Sequence, residues 1–557
     1  MAVASFLRRL QPLQVPLDLQ TLYEAEDTQI SVQLMSPPMF SVGKSGAVTQ
    51  VLPTALRFWD KLGLSPKTGK KDVTAYVFFE GVDERDEDRV AGWLQRLCSI
   101  YSAKHFGAHA PGSSSSCTRE GIMPILFDSC RKTISSFIAS LLPTSKSLVF
   151  YVVTPSSIIN MASPSLRHVL SAIKKVLRTH TDTQILFQFV PEALVPVTHD
   201  STKDHSSLSD LATSVYDRIL RPVERVTARS SGRPRDQVRA YFHSPAFALA
   251  RPLPGKVKFV REAHTKTLDV VDRQLMLHVG YHLTPCGKWI LAASIDQRGE
   301  THDMKAWLVP DDFNDSFVVT SVWGFASSIM AKASVEWQVT VTKLGVMKAT
   351  EFDAWISHLE TVVVASPLFP PTEVGIFSAE YENGWTFIPP EQFENNSRPP
   401  SAHRGFKGSQ GSVYADTTSS TYALFPTARI PIVPHPSREV YVDSPFIPEV
   451  DDHSDPVDRD TGILPHRSSI LIHVPADTDF TTVSTLQLHM LHVHRTADLA
   501  FVTPSEDILQ DTTRNFYELS VLTRVRWKLK TRSILPFHLS ALEVMHSALD
   551  REDTNTD

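Results

Sequence analysis

Apolar positions change their period along the chain. From residue 72 to about residue 221, unbroken apolar runs alternate with stretches where apolar residues return every three or four positions. VTAYVFFE (73–80), SLVFYVVT (147–154) and QILFQFV (184–190) read as strands buried on both faces. Between them Val90, Trp93, Leu94, Leu97 and Ile100 share a helical face, as do Leu166, Val169, Leu170, Ile173, Val176 and Leu177. A third helix carries Leu208, Leu211, Val215 and Ile219, with Ser206 or Ser207 as its cap and Pro222 past its end. Parallel strands need long crossovers, so this order predicts a Rossmann-like parallel sheet.

From Lys256 onward the rhythm becomes strand, turn, strand, strand, helix, strand, helix. LHVGYHLTPCGKWILAASIDQRGE (277–300) reads as a hairpin closed around Pro285, Cys286 and Gly287, with a third strand at 304–309. A helix is expected over 318–333, a strand at EWQVTVTKL (336–344), and a helix around Phe352, Trp355, Ile356 and Leu359. This is the element order of an RNase H-like sheet. Residues 389–467 are rich in Pro, Ser, Asn, Gly and Asp and read as an insertion loop with short strand-like pieces such as YALFP (422–426). Core resumes at SILIHVP (469–475), followed by an expected helix from about Ser484, a strand over 521–529 and a closing helix after Pro536. The expected organisation is a poorly defined segment at 1–50, a Rossmann-like domain at 51–250 and an RNase H-like domain at 251–549 with its insertion at 389–467. REDTNTD (551–557) lies in a tail, 550–557, expected to be disordered.

With 557 residues and 42% hydrophobic content, the chain is long enough for several domains with large cores. A formal net charge of −6 argues against a chain-wide electrostatic footprint for nucleic acid, although local basic patches remain compatible with it. Cys98, Cys117, Cys130 and Cys286 have no CxxC spacing and imply neither a zinc site nor a disulfide framework, which fits a reducing compartment. No apolar run approaches the length of a membrane span. The opening Arg8 and Arg9 faintly resemble an organelle transit peptide, but Pro12 and Pro16 interrupt it and favour a frayed terminus. The sequon at Asn395 stands without a secretory signal.

Candidate chemistry is sparse. No GxGxxG follows a strand, and Gly43-Lys44-Ser45 lacks the upstream glycine of a phosphate loop because position 38 is proline. Two-metal phosphodiester cleavage needs several converging carboxylates. The first strand of the RNase H-like order offers His278 and Tyr281, and its fourth ends in Lys343, Leu344 and Gly345. An apolar Leu344 cannot ligate magnesium. Asp296 and Glu300 are expected to be solvated turn residues, and Glu380 a surface charge. His489, His492 and His494 have a spacing that merits a metal test, yet on a helix His494 points away from the other two. LTRVRWKLKTR (522–532) alternates Arg524, Arg526, Lys528 and Lys530 with apolar residues, as an edge strand with a charged solvent face or a basic docking surface would. No catalytic, cofactor-binding or metal-ligating residue is assigned.

Seven segments together carry a resemblance. LRFWDKLGLSPKTGKKDVTAYVFFE, WLQRLCSIYSAKHFGAHAPG leading to EGIMPI, SVYDRILRP, PAFALARP, KWILAASIDQRGE, WQVTVTKLGVMKATEFDAW and LPFHLSALEVMHSAL occur in order over about 52–549. The chain resembles the C-terminal part of the Mediator subunit thirteen family. That resemblance implies an Argonaute-like MedPIWI fold, a MID-type Rossmann-like domain followed by a PIWI-type RNase H-like domain without slicer activity. Leu344 then stands at a lost acid and Ala541 near the last ligand position. It further implies a nuclear transcription coregulator that is a non-catalytic scaffold of the Mediator kinase module. Its partners would be a cyclin-dependent kinase, its cyclin, subunit twelve and core Mediator, without membrane attachment or direct nucleic-acid binding. The alternative is an Argonaute-like nucleic-acid-binding protein or nuclease. Family members carry a long preceding region, so a fragment, a shortened form or a divergent form is expected here.

Overall fold

The computed structural model describes residues 31–81, 83–142, 147–155, 163–180, 184–195, 201–219, 245–250, 274–310, 314–331, 336–365, 372–381, 419–426, 463–474, 483–496, 504–529 and 534–553. Arg8, Arg9, Pro222, Asn395, Lys530, Arg532 and most of the expected insertion lie outside the described residues. The chain opens with β1 (Ser31–Leu34), β2 (Phe40–Lys44), β3 (Ala47–Val51) and β4 (Leu64–Ser65). It continues through β5 (Val73–Phe79), α1 (Glu84–Ala103), β6 (His109–Pro111), β7 (Ile122–Pro124), α2 (Cys130–Leu141), β8 (Ser147–Thr154), α3 (Pro164–Thr179), β9 (Ile185–Pro191) and α4 (Ser201–Arg218). Strand β5 pairs in parallel with β6, β7 and β8, and β8 with β9, giving the expected Rossmann-like sheet. Consecutive residues of β5 and β8 are buried because helices cover both faces. Ser163 caps α3 by accepting from Leu166 N, and Pro164 occupies its first turn.

Strand β10 (Ala248–Leu249) pairs with β2 and ends the first half. The second half comprises β11 (Gln274–Leu283), β12 (Trp289–Asp296), β13 (His302–Leu308), α5 (Asp315–Met330), β14 (Glu336–Leu344), α6 (Ala349–Ala365) and β15 (Thr372–Glu380). After these come β16 (Ser420–Phe425), β17 (Arg467–Val474), β18 (Ser484–Arg495), α7 (Ser505–Arg526) and α8 (Phe537–Asp553). A nine-stranded sheet runs β1-β16-β17-β18-β15-β14-β11-β12-β13. Within it, β11, β12 and β13 are successive antiparallel neighbours, and β14 and β15 lie parallel on the other side of β11. That is the RNase H-like arrangement anticipated from element order. Strand β1, from the segment expected to be poorly defined, pairs with β16 at the far edge of this sheet. Helix α8 extends into the expected tail as far as Asp553.

Two expectations are corrected. The segment from Ser484 is strand β18, paired on both sides by β15 and β17, not a helix. Residues 521–526, expected within a strand, are the last turns of α7. The cations Arg524 and Arg526 sit in its final turn, where they complement the helix dipole. Alternation over a few residues imitated a strand inside a longer 3.6-residue pattern.

One apolar core joins the two halves, containing Val77, Trp93 and Tyr216 from the first and Leu291, Leu344, Phe516 and Leu539 from the second, with Phe247 in the same cluster. Polar ties cross the same boundary. Lys67 pairs with Glu300, and Leu249 N donates to Arg298 O at 3.1 Å. Arg526 of the second half donates to Gly299 O of the same half. Arg526 also lies 3.7 Å from Asp217 of α4 and 5.2 Å over the Phe247 ring. Gly299 has φ +68°, and a Cβ there would meet Leu522 Cδ2 at 2.1 Å, so only glycine lets this turn approach α7.

Candidate functional site

Strand alternation decides what the centre of the large sheet can do. On β11, Leu277, Val279 and Tyr281 join the core beneath α5 and α6. The alternate residues His278, Gly280 and His282 belong to the opposite face, which α7 and α8 cover. A Cβ at Gly280 would stand 3.0 Å from both His538 Cδ2 and Leu539 Cδ2, so α8 lies directly on the strand. His278 is fully buried, shares a hydrogen bond with Asn515 Oδ1 at 2.7 Å, and stacks 5.6 Å from His538. Burial pushes the His278 imidazole down to about 4, only partly countered by Asn515. His538 falls well below the usual histidine value through burial and then through His278. Both rings are therefore neutral packing elements at pH 7.

The end of β14 is divided between the two faces. Leu344 is buried and belongs to the same apolar cluster as Ala379, Leu539 and Ala541. Its carbonyl lies 3.2 Å from His282 Nδ1. Lys343 takes the other face and forms a buried ion pair with Glu351. Tyr281 OH donates to Glu351 Oε1 at 2.6 Å, and Trp355 Nε1 donates to Tyr281 OH at 3.0 Å. Burial first, and Glu351 second, raise the Tyr281 phenol well above its ordinary value. The sequence reading did not single out Glu351. Its one legible signal is an acid eight residues after Lys343, in the first turn of a helix.

Three acids singled out in the sequence, Asp296, Glu300 and Glu380, have separate partners. Asp296 and Glu300 are buried, not solvated as expected. Asp296 Oδ1 accepts from Glu300 N at 2.6 Å and Thr301 N at 2.9 Å, closing the β12–β13 turn, while Glu300 pairs with Lys67 of the first half. Glu380 is half-buried at the end of β15, 4.0 Å from His489 Nε2. A two-cation centre needs several converging carboxylates, and His278, Leu344 and Ala541 offer none, so these three residues do not fit one.

The histidine triplet lies on strand β18, where a register shift sets His489, His492 and His494 opposite Ser378, Ile376 and Val374, on one face of the sheet. They do not converge: His489 Nδ1 is 2.8 Å from Ser468 Oγ, and the His492 and His494 ring centroids are 6.4 Å apart. Burial lowers all three, His489 to about 4. Among the described residues, no group of three or more His, Cys, Asp or Glu side chains is placed to hold a metal ion. No described helix is long and apolar enough to cross a membrane. The described part of the basic sequence, 522–529, is not a one-faced strand. Arg524 reaches His473 Nε2 at 3.3 Å, Arg526 is buried at the boundary of the halves, and Lys528 pairs with Asp210 at 2.6 Å.

Comparison with known proteins places this arrangement among relatives. The chain is 24% identical over 349 residues to Mediator of RNA polymerase II transcription subunit 13 of Yarrowia lipolytica, covering 62% of this chain and 24% of that protein. It is 22% identical over 375 residues to the subunit of the same name of Phaeosphaeria nodorum, covering 62% and 26%. The chain thus spans about a quarter of the length of these curated relatives. Among solved structures it is similar to Drosophila Piwi, with 11% identity and a TM-score of 0.45 over 93% of this chain and 54% of that one. It is also similar to Marinitoga piezophila Argonaute in complex with guide RNA and target DNA, with 10% identity and a TM-score of 0.46 over 98% and 61%. Residues 243–542, just over half of the 557-residue chain, match the family model described as the Mediator complex subunit 13 C-terminal domain, and the chain belongs to that family.

Proposed function

We propose that the chain is a non-catalytic scaffold within Mediator, acting in the nucleus in the regulation of RNA polymerase II transcription. Within that role it links the kinase module, a cyclin-dependent kinase with its cyclin and subunit twelve, to core Mediator. The observation that carries the non-catalytic part is the packing of α8 onto β11, with Leu344 and Ala541 in the apolar core where a nuclease would gather acids. The partner assignment rests on family membership and on two relatives named as Mediator subunits. A core continuous across the two halves, tied by Lys67–Glu300 and Arg526–Asp217, suits a part that transmits position and not turnover.

The test is affinity capture of the tagged chain from nuclear extract, with quantitative mass spectrometry of what comes with it. Kinase-module subunits in near-equal amounts are expected. Stoichiometric recovery with an unrelated cytosolic assembly overturns the reading.

A further inference from the structure

Away from the sheet centre lies a basic cavity that the scaffold reading leaves unused. The segment from Lys44 to Lys71 contains Lys44, Arg57, Lys61, Lys67, Lys70 and Lys71 with Asp60 as its one acid, on a chain of net charge −6. Of these cations, Lys67 and Lys70 face a cavity. A cavity of about 510 Å³ opens between the β2–β3 turn and the loop after β4, with Gly43, Ser45, Gly63, Lys67, Lys70 and His105 among its lining residues. Gly43 and Ser45, from the triplet that the sequence excludes as a phosphate loop, line one wall. A Cβ at Gly46, Gly63 or Gly69 would meet nothing within 4 Å, so the backbone there lies open.

The opposite wall is held from beneath. Lys71 is buried and donates to Tyr216 O at 2.7 Å and Ile219 O at 2.6 Å, with its ammonium 4.2 Å from the centre of the Tyr216 ring. Tyr216 OH donates to Gly69 O at 2.6 Å, and Lys71 N to Phe106 O at 2.7 Å. Helix α4 therefore fixes the loop that presents Lys67 and Lys70. Lys67 shares its charge with Glu300 across the boundary between the halves.

We propose that this cavity binds a phosphate monoester of the kind borne by a phosphorylated serine or threonine side chain. Compact ammonium groups bind phosphate as point charges, and a monoester carries about −1.5 to −2 at pH 7, against −1 for each phosphodiester link. No Phe, Tyr or Trp lines the cavity, so it lacks the stacking platforms that hold the bases of a single strand. The usual phosphate position of a Rossmann-like sheet, after its first strand, is the acidic first turn of α1 with Glu84, Asp86 and Glu87. Phosphate is repelled there and attracted here.

The experiment uses the full chain at low ionic strength. Inorganic phosphate is titrated calorimetrically, and a labelled glycine- and alanine-flanked phosphoserine peptide, its unphosphorylated twin and a ten-nucleotide single-stranded RNA are titrated by fluorescence anisotropy. Saturable binding of phosphate and of the phosphopeptide is expected, each displacing the other, with the twin at least tenfold weaker. Lys70→Gln and, separately, His105→Asn, whose residue type tolerates the left-handed φ of 60° there, weaken the phosphopeptide about tenfold or more. Lys174→Gln on α3 leaves it unchanged, and thermal melts confirm that each variant is folded. Absence of saturable phosphate binding, equal binding of the twin, or undiminished affinity in both folded variants overturns the proposal. Tighter RNA binding that displaces the phosphopeptide also overturns it, because the cavity would then serve nucleic acid.

Discussion

Placing an acid at the end of β14 tests whether that position serves packing. Leu344 is 6% exposed and sits in the core shared by the two halves. Truncation of a buried leucine costs about 2–5 kcal/mol. Leu344→Asp adds a buried carboxyl group, worth about another 2 kcal/mol even when protonated. The adjacent cation, Lys343, is on the opposite face and engaged by Glu351. Burial raises the folded-state pKa of the new carboxyl above its unfolded value of about 3.9. The deficit relative to isosteric Leu344→Asn therefore grows as pH rises above about 4, by about 1.4 kcal/mol per unit of that shift, and levels off above the folded pKa. Urea unfolding of wild type, Leu344→Asn and Leu344→Asp, followed between pH 4 and 8 by tryptophan fluorescence, measures this directly. Leu344→Asp within about 1 kcal/mol of wild type, or parallel curves for the two variants across pH, would mean that position 344 is not a packed apolar site.

Three further outcomes follow from buried charge. Glu351→Ala strands the Lys343 ammonium and is expected to cost about 3–5 kcal/mol, with much of it recovered in Lys343→Met/Glu351→Leu, both read from denaturant midpoints. Because burial holds the folded His278 at about 4, the unfolded chain binds the extra proton between about pH 6.5 and 4. Stability is full above that window and falls within it by on the order of 3 kcal/mol from this group, and His278→Gln reduces the slope in acid titrations. Arg526→Ala leaves buried Asp217 without its main cation, and hydrogen exchange should rise together in α4 and in the 296–300 turn, with unchanged exchange arguing that the halves are joined by apolar packing alone.

Much of the fold was legible because its strongest signals are local. Residues 147–154 and 336–344 read as strands at the bounds they adopt, since their consecutive buried residues follow from covered parallel sheets. The order of β11 to α6 was equally readable. The errors share a cause. Thr485, Leu486, Leu488 and Met490 are buried in β18, but the interspersed histidines obscured the strand, and Arg524 and Arg526 imitated one at the end of a helix. At the site, the absence of acid from β11 and Leu344 was visible directly. The buried roles of Asp296, Glu300 and Glu351 were not, because each depends on a partner that only the fold brings near: a turn closing on itself, Lys67 from 233 residues away, and Tyr281 from 70. The pairing of β1 with β16 has no sequence signal within either strand.

If the middle of the RNase H-like half serves packing, as proposed, it does not cut nucleic acid. Single-turnover incubation of the purified chain with a guide-paired, end-labelled strand in magnesium or manganese tests this, and a cleavage rate indistinguishable from that without protein is expected. Metal-dependent cutting at a fixed site, abolished by Asp296→Ala in a folded variant, would contradict it.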